Sequence, residues 1–459
     1  MQTDLRREMG VFDSVMLIVG STIGVGIFVT TGLVAGHVAA PGFILLAWLL
    51  GGLLALAGAL SCAELSAMFP RAGGDYVYLR EAYGPLLGFL SGWASFFVTF
   101  SGSIASLALG LTAYLAFYFP VLGPTHSLGS VELLGWTVSV SLAQASAVGL
   151  IALLSLVQVL GVRQGSNLQN VLSVAKVGAL ILIVLLAFAM GDGKIGNFFP
   201  LLDLGGAHHW SSLGVAFIPI VFTYAGWNSI VYLAAEVKDP GRTVPQALLR
   251  ANLLIIVLYV GVNAAFIYGV PVEKMQGQIK AAEIATSSLF GYDTAAWLNA
   301  IIGVSILGAL NAIIMTGPRI YYAMAQDQLF FRGLSQVHPR FHTPARAIAL
   351  QGIWACVLVL TGTFATLLTY VSVIIVVFSA LTVAAVVLCR IRQPGTHRPY
   401  RVRAYPWIPG AFVVAYGVIA LSTLSARPTE SFWGAIIVSL GIPAYFFWKN
   451  SLHLGSRRS

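Results

Sequence analysis

The sequence predicts an all-α integral membrane protein of twelve transmembrane helices, built as two five-helix repeats of opposite orientation with two helices added at the end. Three observations carry that expectation: composition, the spacing of apolar segments, and the distribution of basic residues. Of 459 residues, 58% are hydrophobic and 9% charged, with a mean hydropathy of +0.87, whereas soluble domains carry about a quarter charged residues. Runs of about 20 apolar residues, long enough to cross a bilayer, fall at 12–36, 41–68, 85–119, 136–160, 166–190, 212–235, 246–270, 293–325, 345–362, 364–389, 405–424 and 430–449. Several exceed the length of an upright helix, which implies tilt.

The basic residues give the orientation. With the N-terminus on one side, that side receives 20 Lys and Arg; the other receives Lys194, Lys274, Lys280 and Arg427, and Lys176 lies within span 5. Such asymmetry requires an even number of spans and places both termini in the cytoplasm, as in a plasma (inner) membrane protein. The net charge of +9 therefore reflects topology, and the partner it implies is the bilayer rather than nucleic acid. No cleavable signal is expected, because the first apolar run is too long for a signal core. Cys62, Cys356 and Cys389 all fall in apolar spans and read as small core residues without a disulfide framework.

Span 1 contains Gly20-Ser-Thr-Ile-Gly-Val-Gly-Ile-Phe28, three glycines and two hydroxyl residues where a membrane helix is usually most regular. Alone, this fits either close packing by a neighbouring helix or a break whose free N–H groups bind an anion at the positive end of a half-helix. Span 2 ends near Glu64, expected to pair with a loop arginine such as Arg71. Span 3 carries Ser101, Ser103 and Ser106, small residues suited to helix packing; the following stretch, 120–135, is polar, external and free of cysteine. In span 5, Lys176 lies about 15 Å from the nearer end at 1.5 Å per residue, and a lysine at that depth costs about 3 kcal/mol and marks an ion or substrate pathway.

Span 6 supplies a second interruption, Ile218-Pro-Ile-Val-Phe-Thr-Tyr-Ala-Gly-Trp-Asn-Ser229, with Pro219 and Gly226 inside it and the polar Asn228 at depth. The two interruptions are about 200 residues apart, each opening a five-span half, 12–190 and 212–390, with 391–459 forming the accessory helices and tail. Five spans per half means that the halves insert with opposite orientation, and broken helices at matching positions place the binding site between them. This favours a break over simple packing in span 1 and transport over other activities.

The motifs carry a resemblance. Ile23-Gly-Val-Gly-Ile-Phe28 resembles the I-G-[SVA]-G-I-F signature of the amino acid–polyamine–organocation superfamily. Phe222-Thr-Tyr-Ala-Gly-Trp-Asn228 and Glu236-Val-Lys-Asp-Pro-Gly-Arg-Thr-Val-Pro-Gln-Ala247 resemble two segments of its L-amino acid transporter family, and Asn311 with Arg319, His338-Pro339, Thr343-Pro344 and Arg398-Pro-Tyr-Arg-Val402 continue in the family's order. The resemblance implies a LeuT-type fold with an L-amino acid site between spans 1 and 6. By position, the substrate carboxylate would meet the N–H groups of Val25, Gly26 and Ile27 beside Gly24. The ammonium would meet carbonyls near Ile23 and Phe222, with Ala225, Gly226 and Asn228 close by and Phe222 as an aromatic gate. Lys176 matches a lysine that stands where related transporters bind sodium, which implies sodium independence.

Departures refine this reading. Relatives often carry Ser at the Ala309 position as a partner for the lysine, and Ser305 is the substitute on this helix. Members taking dibasic substrates tend to carry Asp at the Ala225 position, so neutral substrates are expected. The family's disulfide-linked heavy chain attaches through a cysteine after span 3 that is absent here. Arg319, Asp327, Glu236 and Arg242 form either a gate of ion pairs or ordinary topology charges. His208-His209 has no third ligand nearby, so no metal and no cofactor are expected, and no nucleophile–base pair lies in the spans to suggest an enzyme. The function expected is sodium-independent exchange of neutral amino acids, with proton-coupled symport of amino acids or amines, or amino acid sensing, as alternatives.

Overall fold

The computed structural model describes the chain except for residues 1–3, 39, 124–125, 134–135, 203–208, 292–293, 362–363, 427 and 456–459. Arg427, Arg457, Arg458 and His208 thus lie outside the described residues. In chain order the helices are α1 (Val11–Thr22), α2 (Gly26–Ala35), α3 (Pro41–Met68), α4 (Asp75–Tyr83) and α5 (Pro85–Leu115), the last with a π turn at Ser95–Thr99. After a hairpin, β1 (Ser127–Leu133) and β2 (Trp136–Ser141), come α6 (Leu142–Val159), α7 (Val162–Met190) and α8 (His209–Thr223). A 3₁₀ segment, Ser229–Glu236, leads to α9 (Pro240–Gly269), α10 (Ala281–Phe290) and α11 (Thr294–Gln326). The chain finishes with α12 (Ala345–Thr361), α13 (Phe364–Arg392), α14 (Trp407–Ala426) and α15 (Pro428–Gly455).

Among the described residues, nine helices are long and apolar enough to cross a membrane, and the bent pair α1–α2, 46° apart, makes a tenth. The two expected spans that fall short are span 6, which α8 leaves after 15 residues, and span 9, where α12 has 17. Span 4 begins later than expected. Residues 136–141 are a strand, paired antiparallel with β1 from Leu133↔Trp136 to Ser127↔Ser141, and the helix starts at Leu142 with Ser141 as its cap. Alternating Val and Ser/Thr in 137–141 suits a pleated strand, so the chain is not wholly helical.

The helices sort by which face is buried. On α7, Leu172, Lys176, Leu180, Ile183 and Ala187 are buried at helical spacing, while Val171, Val174, Leu182, Leu185 and Phe188 are exposed apolar residues, as expected of a helix with one side on protein and one on lipid. α1 is enclosed by α7, α9 and α11, and α2 packs against α8 and α10. Behind both, Trp48 and Tyr259 meet edge to face at 5.4 Å and Tyr224 and Tyr259 lie 4.9 Å apart. That aromatic group backs the two interruptions.

Far-reaching ion pairs fasten the arginine-rich face. Glu64 accepts from Arg390 at 2.8 and 2.6 Å and from the Val402 N–H at 2.8 Å, with Arg398 at 3.5 Å. The expected partner, Arg71, reaches Glu81 at 3.9 Å instead. Glu64 is fully buried and Arg71 exposed, so only arginines brought in by the end of α13 and its following loop can neutralise it. The four charges read as either a gate or ordinary topology charges divide. Arg319 and Glu236, both fully buried, form a two-pronged pair at 2.7 and 2.9 Å, whereas Asp327 takes Arg80 and the Tyr76 hydroxyl. Arg242 makes no ion pair among the described residues.

Candidate functional site

Span 1 is interrupted at Ile23–Val25, where the chain leaves the helical hydrogen-bond pattern between α1 and α2. The last N–H of the first half bonds Val19, and Phe28 N–H donates to Val25. The N–H groups of Gly24, Val25, Gly26 and Ile27 meet no acceptor among the described residues. Four free donors at a helix start, on the positive end of the helix, form an anion-binding nest.

The carbonyl end of the same break is filled by the protein itself. Lys176, fully buried, donates through Nζ to the carbonyls of Gly20 (3.0 Å), Ile23 (2.8 Å) and Ser305 (3.0 Å). An ammonium has three donors, and all three are used, two on the negative end of α1. Room for this comes from Gly308, where a Cβ would lie 2.7 Å from Nζ. Ser305 serves as the partner expected on α11, but through its backbone; its hydroxyl is buried without a partner among the described residues.

The second interruption follows α8. Tyr224–Asn228 form turns before the 3₁₀ segment, and Gly226 has φ +100, with a Cβ at that position 2.7 Å from Ser21 Oγ. Only glycine tolerates both the dihedral and the contact. The two breaks touch: Thr30 and Thr223 hydroxyls lie 2.7 Å apart, and the Tyr259 hydroxyl lies 3.0 Å from the Thr22 carbonyl and 3.2 Å from that of Thr223.

Between the breaks and α5, α11 and α13 lies a cavity of about 620 Å³, within the range of small-molecule sites. Gly24, Val25, Gly26, Phe222, Ala225, Gly226 and Asn228, all expected at the site, line it. Ile23 and Ile27 do not; their side chains are buried, and the Ile23 carbonyl is engaged by Lys176. Lys176 and Ser305 stand behind the wall. Ala309 also lines it, with hydroxyls along α5 including Ser91, Ser95, Thr99 and Ser103.

Two residues carry roles that the sequence does not announce. Tyr259 reads in sequence as one apolar-span aromatic among many. Asp75 lines the cavity from the connection between α3 and α5, and its carboxylate accepts from Asn228 Nδ2 at 3.3 Å and Tyr232 Oη at 2.7 Å. Its signal is the paired glycine before it: Gly73 and Gly74 have φ +115 and +50, and a Cβ on Gly74 would lie 2.5 Å from the Tyr232 ring. Burial pushes the Asp75 carboxyl up to about 6, against the two hydrogen bonds that favour the charged form. Among the described residues no cluster of His, Cys, Asp and Glu could hold a metal ion, and the three cysteines are free.

A polytopic helical protein with interrupted helices around a central cavity, one break offering free N–H groups, is built as a membrane carrier of small solutes. Comparison with known proteins defines the class further. Residues 9–443 match the family described as amino acid permease. The serine/threonine exchanger SteT of Bacillus subtilis is 30% identical over 456 residues, 97% of each chain. The b(0,+)-type amino acid transporter 1 of Mus musculus is 30% identical over 453 residues, 97% of this chain and 88% of its own. The large neutral amino acids transporter small subunit 2 of Homo sapiens is 28% identical over 458 residues, 97% and 82%. The chain belongs to the amino acid permease family, a family of membrane transporters rather than enzymes.

Proposed function

We propose that the protein is a sodium-independent exchanger of neutral L-amino acids, working by alternating access in the plasma membrane with both termini in the cytoplasm. The observation that carries this is the division of labour at the first break. Its free N–H groups suit a carboxylate, while the Lys176 amine fills the carbonyl end with three hydrogen bonds, so no inorganic cation is needed there. The substrate carboxylate sits on the N–H groups of Val25, Gly26 and Ile27, and its ammonium on carbonyls near Ile23, whose own oxygen already takes one bond from Lys176, and near Phe222, with Phe222 as the gate. Ala225 brings no counter-charge for a basic side chain, in keeping with neutral substrates. The names of two relatives, a serine/threonine exchanger and a large neutral amino acids transporter subunit, support both exchange and that class.

In this reading α8 with its 3₁₀ segment is span 6 and α12 is span 9, completing twelve. Residues 12–190 and 212–390 are inverted LeuT-type repeats, each opening on an interrupted helix, and 391–459 add two accessory helices. The 20 basic residues on the N-terminal side support cytoplasmic termini. The stretch after α5 offers no cysteine, so the transporter works without a disulfide-linked partner.

The test is uptake of labelled L-amino acids into sodium-free proteoliposomes, with and without unlabelled amino acid inside and with and without an inward proton gradient. Uptake that requires internal amino acid and ignores the gradient is the expected result. Gradient-driven uptake into empty vesicles would make the protein a proton symporter, and saturable binding without flux a sensor; either would overturn the proposal.

A further inference from the structure

Asp75 has a role that the binding of a substrate's amino and carboxylate groups does not use. It begins α4 in the connection between α3 and α5, yet its carboxylate reaches the segment that follows the second break, taking hydrogen bonds from Asn228 and Tyr232. Gly73 N–H donates to the Tyr232 carbonyl at 3.1 Å, so the loop is laid along that segment and Asp75 closes the contact. No cation answers the carboxylate among the described residues. The titratable groups whose charge would act on Asp75 are the Cys62 thiol from α3, the Tyr78 hydroxyl on α4 and the Tyr232 hydroxyl. The cations on neighbouring elements are committed elsewhere: Arg319 to Glu236, Arg390 and Arg398 to Glu64, Arg80 to Asp327 and Glu81, and Arg392 to the Ala82 carbonyl.

We propose that Asp75 is a positioning residue that sets, through its charge, the balance between closed and open forms of the cytoplasmic side of the cavity. The inference rests on the proposed transport function and orientation. In the closed form, taken as the one in this structure, the carboxylate is only partly exposed beside the cavity and shares only neutral donors; in the open form water hydrates it fully. A lone charge disfavours the form that hydrates it less. Ionised Asp75 therefore favours opening, and protonated Asp75, released from that penalty, favours closure. The sign agrees with the raised carboxyl: the closed form binds the proton more tightly than a hydrated aspartate of ordinary pKa near 4. Acid stabilises closure between about pH 4 and 6, and above that window the charge presses toward opening.

The readout is exchange by the full-length protein in proteoliposomes, with labelled L-serine and L-leucine as probes and only internal pH varied. Internal half-saturation is expected to rise about threefold or more from about pH 7.5 to about pH 5.5, because closure reduces the fraction competent to bind from inside. Asp75→Asn, a neutral isostere, holds the acid value at both pH values, and Asp75→Glu restores the dependence. Tyr232→Phe, which removes a donor to the charged form, moves the midpoint to higher pH. A wild-type pH dependence in Asp75→Asn, or a uniform loss of maximal rate with no change in half-saturation, overturns the proposal. If neither probe is exchanged, the transport proposal takes that blow, and amide hydrogen exchange of 226–237 decides this one. Corrected for intrinsic rates, exchange is slower at the acid pH than at the neutral one in the wild type and pH-independent in Asp75→Asn; no difference between the two proteins overturns it.

Discussion

The two interruptions are buttressed from outside by ionisable groups of opposite kind, one through backbone and one through side chains. At the first, a cation from α7 is driven into the carbonyl end of α1, and the N–H end of α2 is left open toward the cavity. At the second, an anion from the loop before α5 takes donors on Asn228 and Tyr232, and the bend itself rests on a glycine dihedral. The first break is braced by a buried ammonium whose three hydrogen bonds all go to carbonyls. The second is braced by side-chain hydrogen bonds to a carboxylate that is only partly buried. A fully buried brace thus stands on one side of the cavity and a partly exposed one on the other.

The sharpest way to break this comparison is at Lys176. Lys176→Ala takes the lysine donor from the carbonyls of Gly20, Ile23 and Ser305 in a buried place, and an unmet buried acceptor costs about 1–3 kcal/mol. With the Gly20 and Ile23 carbonyls stranded, since that of Ser305 keeps its donor within α11, exchange should fall by about 100-fold or more in sodium-free vesicles, while a thermal melt in detergent separates lost folding from lost transport. Retention of near wild-type exchange would mean that the first break needs no internal cation.

Gly226→Ala tests the second break. A Cβ there faces both φ +100 and a contact of 2.7 Å with Ser21 Oγ. Strain of about 1–3 kcal/mol should raise substrate half-saturation roughly tenfold. An unchanged value would show that the bend is not fixed by that residue. The smallest effect is expected where the two breaks are joined. Tyr259→Phe removes a hydroxyl placed between the Thr22 and Thr223 carbonyls, worth about 1 kcal/mol, so half-saturation should rise about fivefold. The melting temperature should fall by a few degrees. An effect confined to stability would show that the breaks act independently.

How much the sequence makes legible follows from where each signal is stored. Glycines crowded at 20–26 and at 226 announce breaks because a regular helix has no use for them. A lysine in the middle of an apolar run is too costly to sit there without a task. Partners distant in sequence leave no such mark. Glu64 meets Arg390, 326 residues away, rather than the nearby Arg71, because the end of α13 arrives at a buried spot that a local exposed arginine cannot reach. Only the paired glycines before it set Asp75 apart in sequence from a solvated loop acid, and its bonds to Asn228 and Tyr232, over 150 residues away, are visible only in the fold. Ile23 and Ile27 flank the break through their backbone, which the glycine pattern locates, whereas their side chains belong to the core. Residues 136–141 pass for the start of span 4 because apolar content alone does not tell a strand from the first turns of a helix.

The chain ahead of α1 carries a consequence for movement. Met9 forms a parallel bridge with Val237; Glu8 and Met9 N–H groups donate to the Glu236 carbonyl, and Lys238 N–H donates to that of Met9. Glu236 in turn is clamped by Arg319. The start of the first interrupted helix is therefore zipped, peptide by peptide, to the end of the second. Any outward displacement of α1 would have to break these backbone bonds as well as its side-chain packing, so the strip couples the two segments on this face.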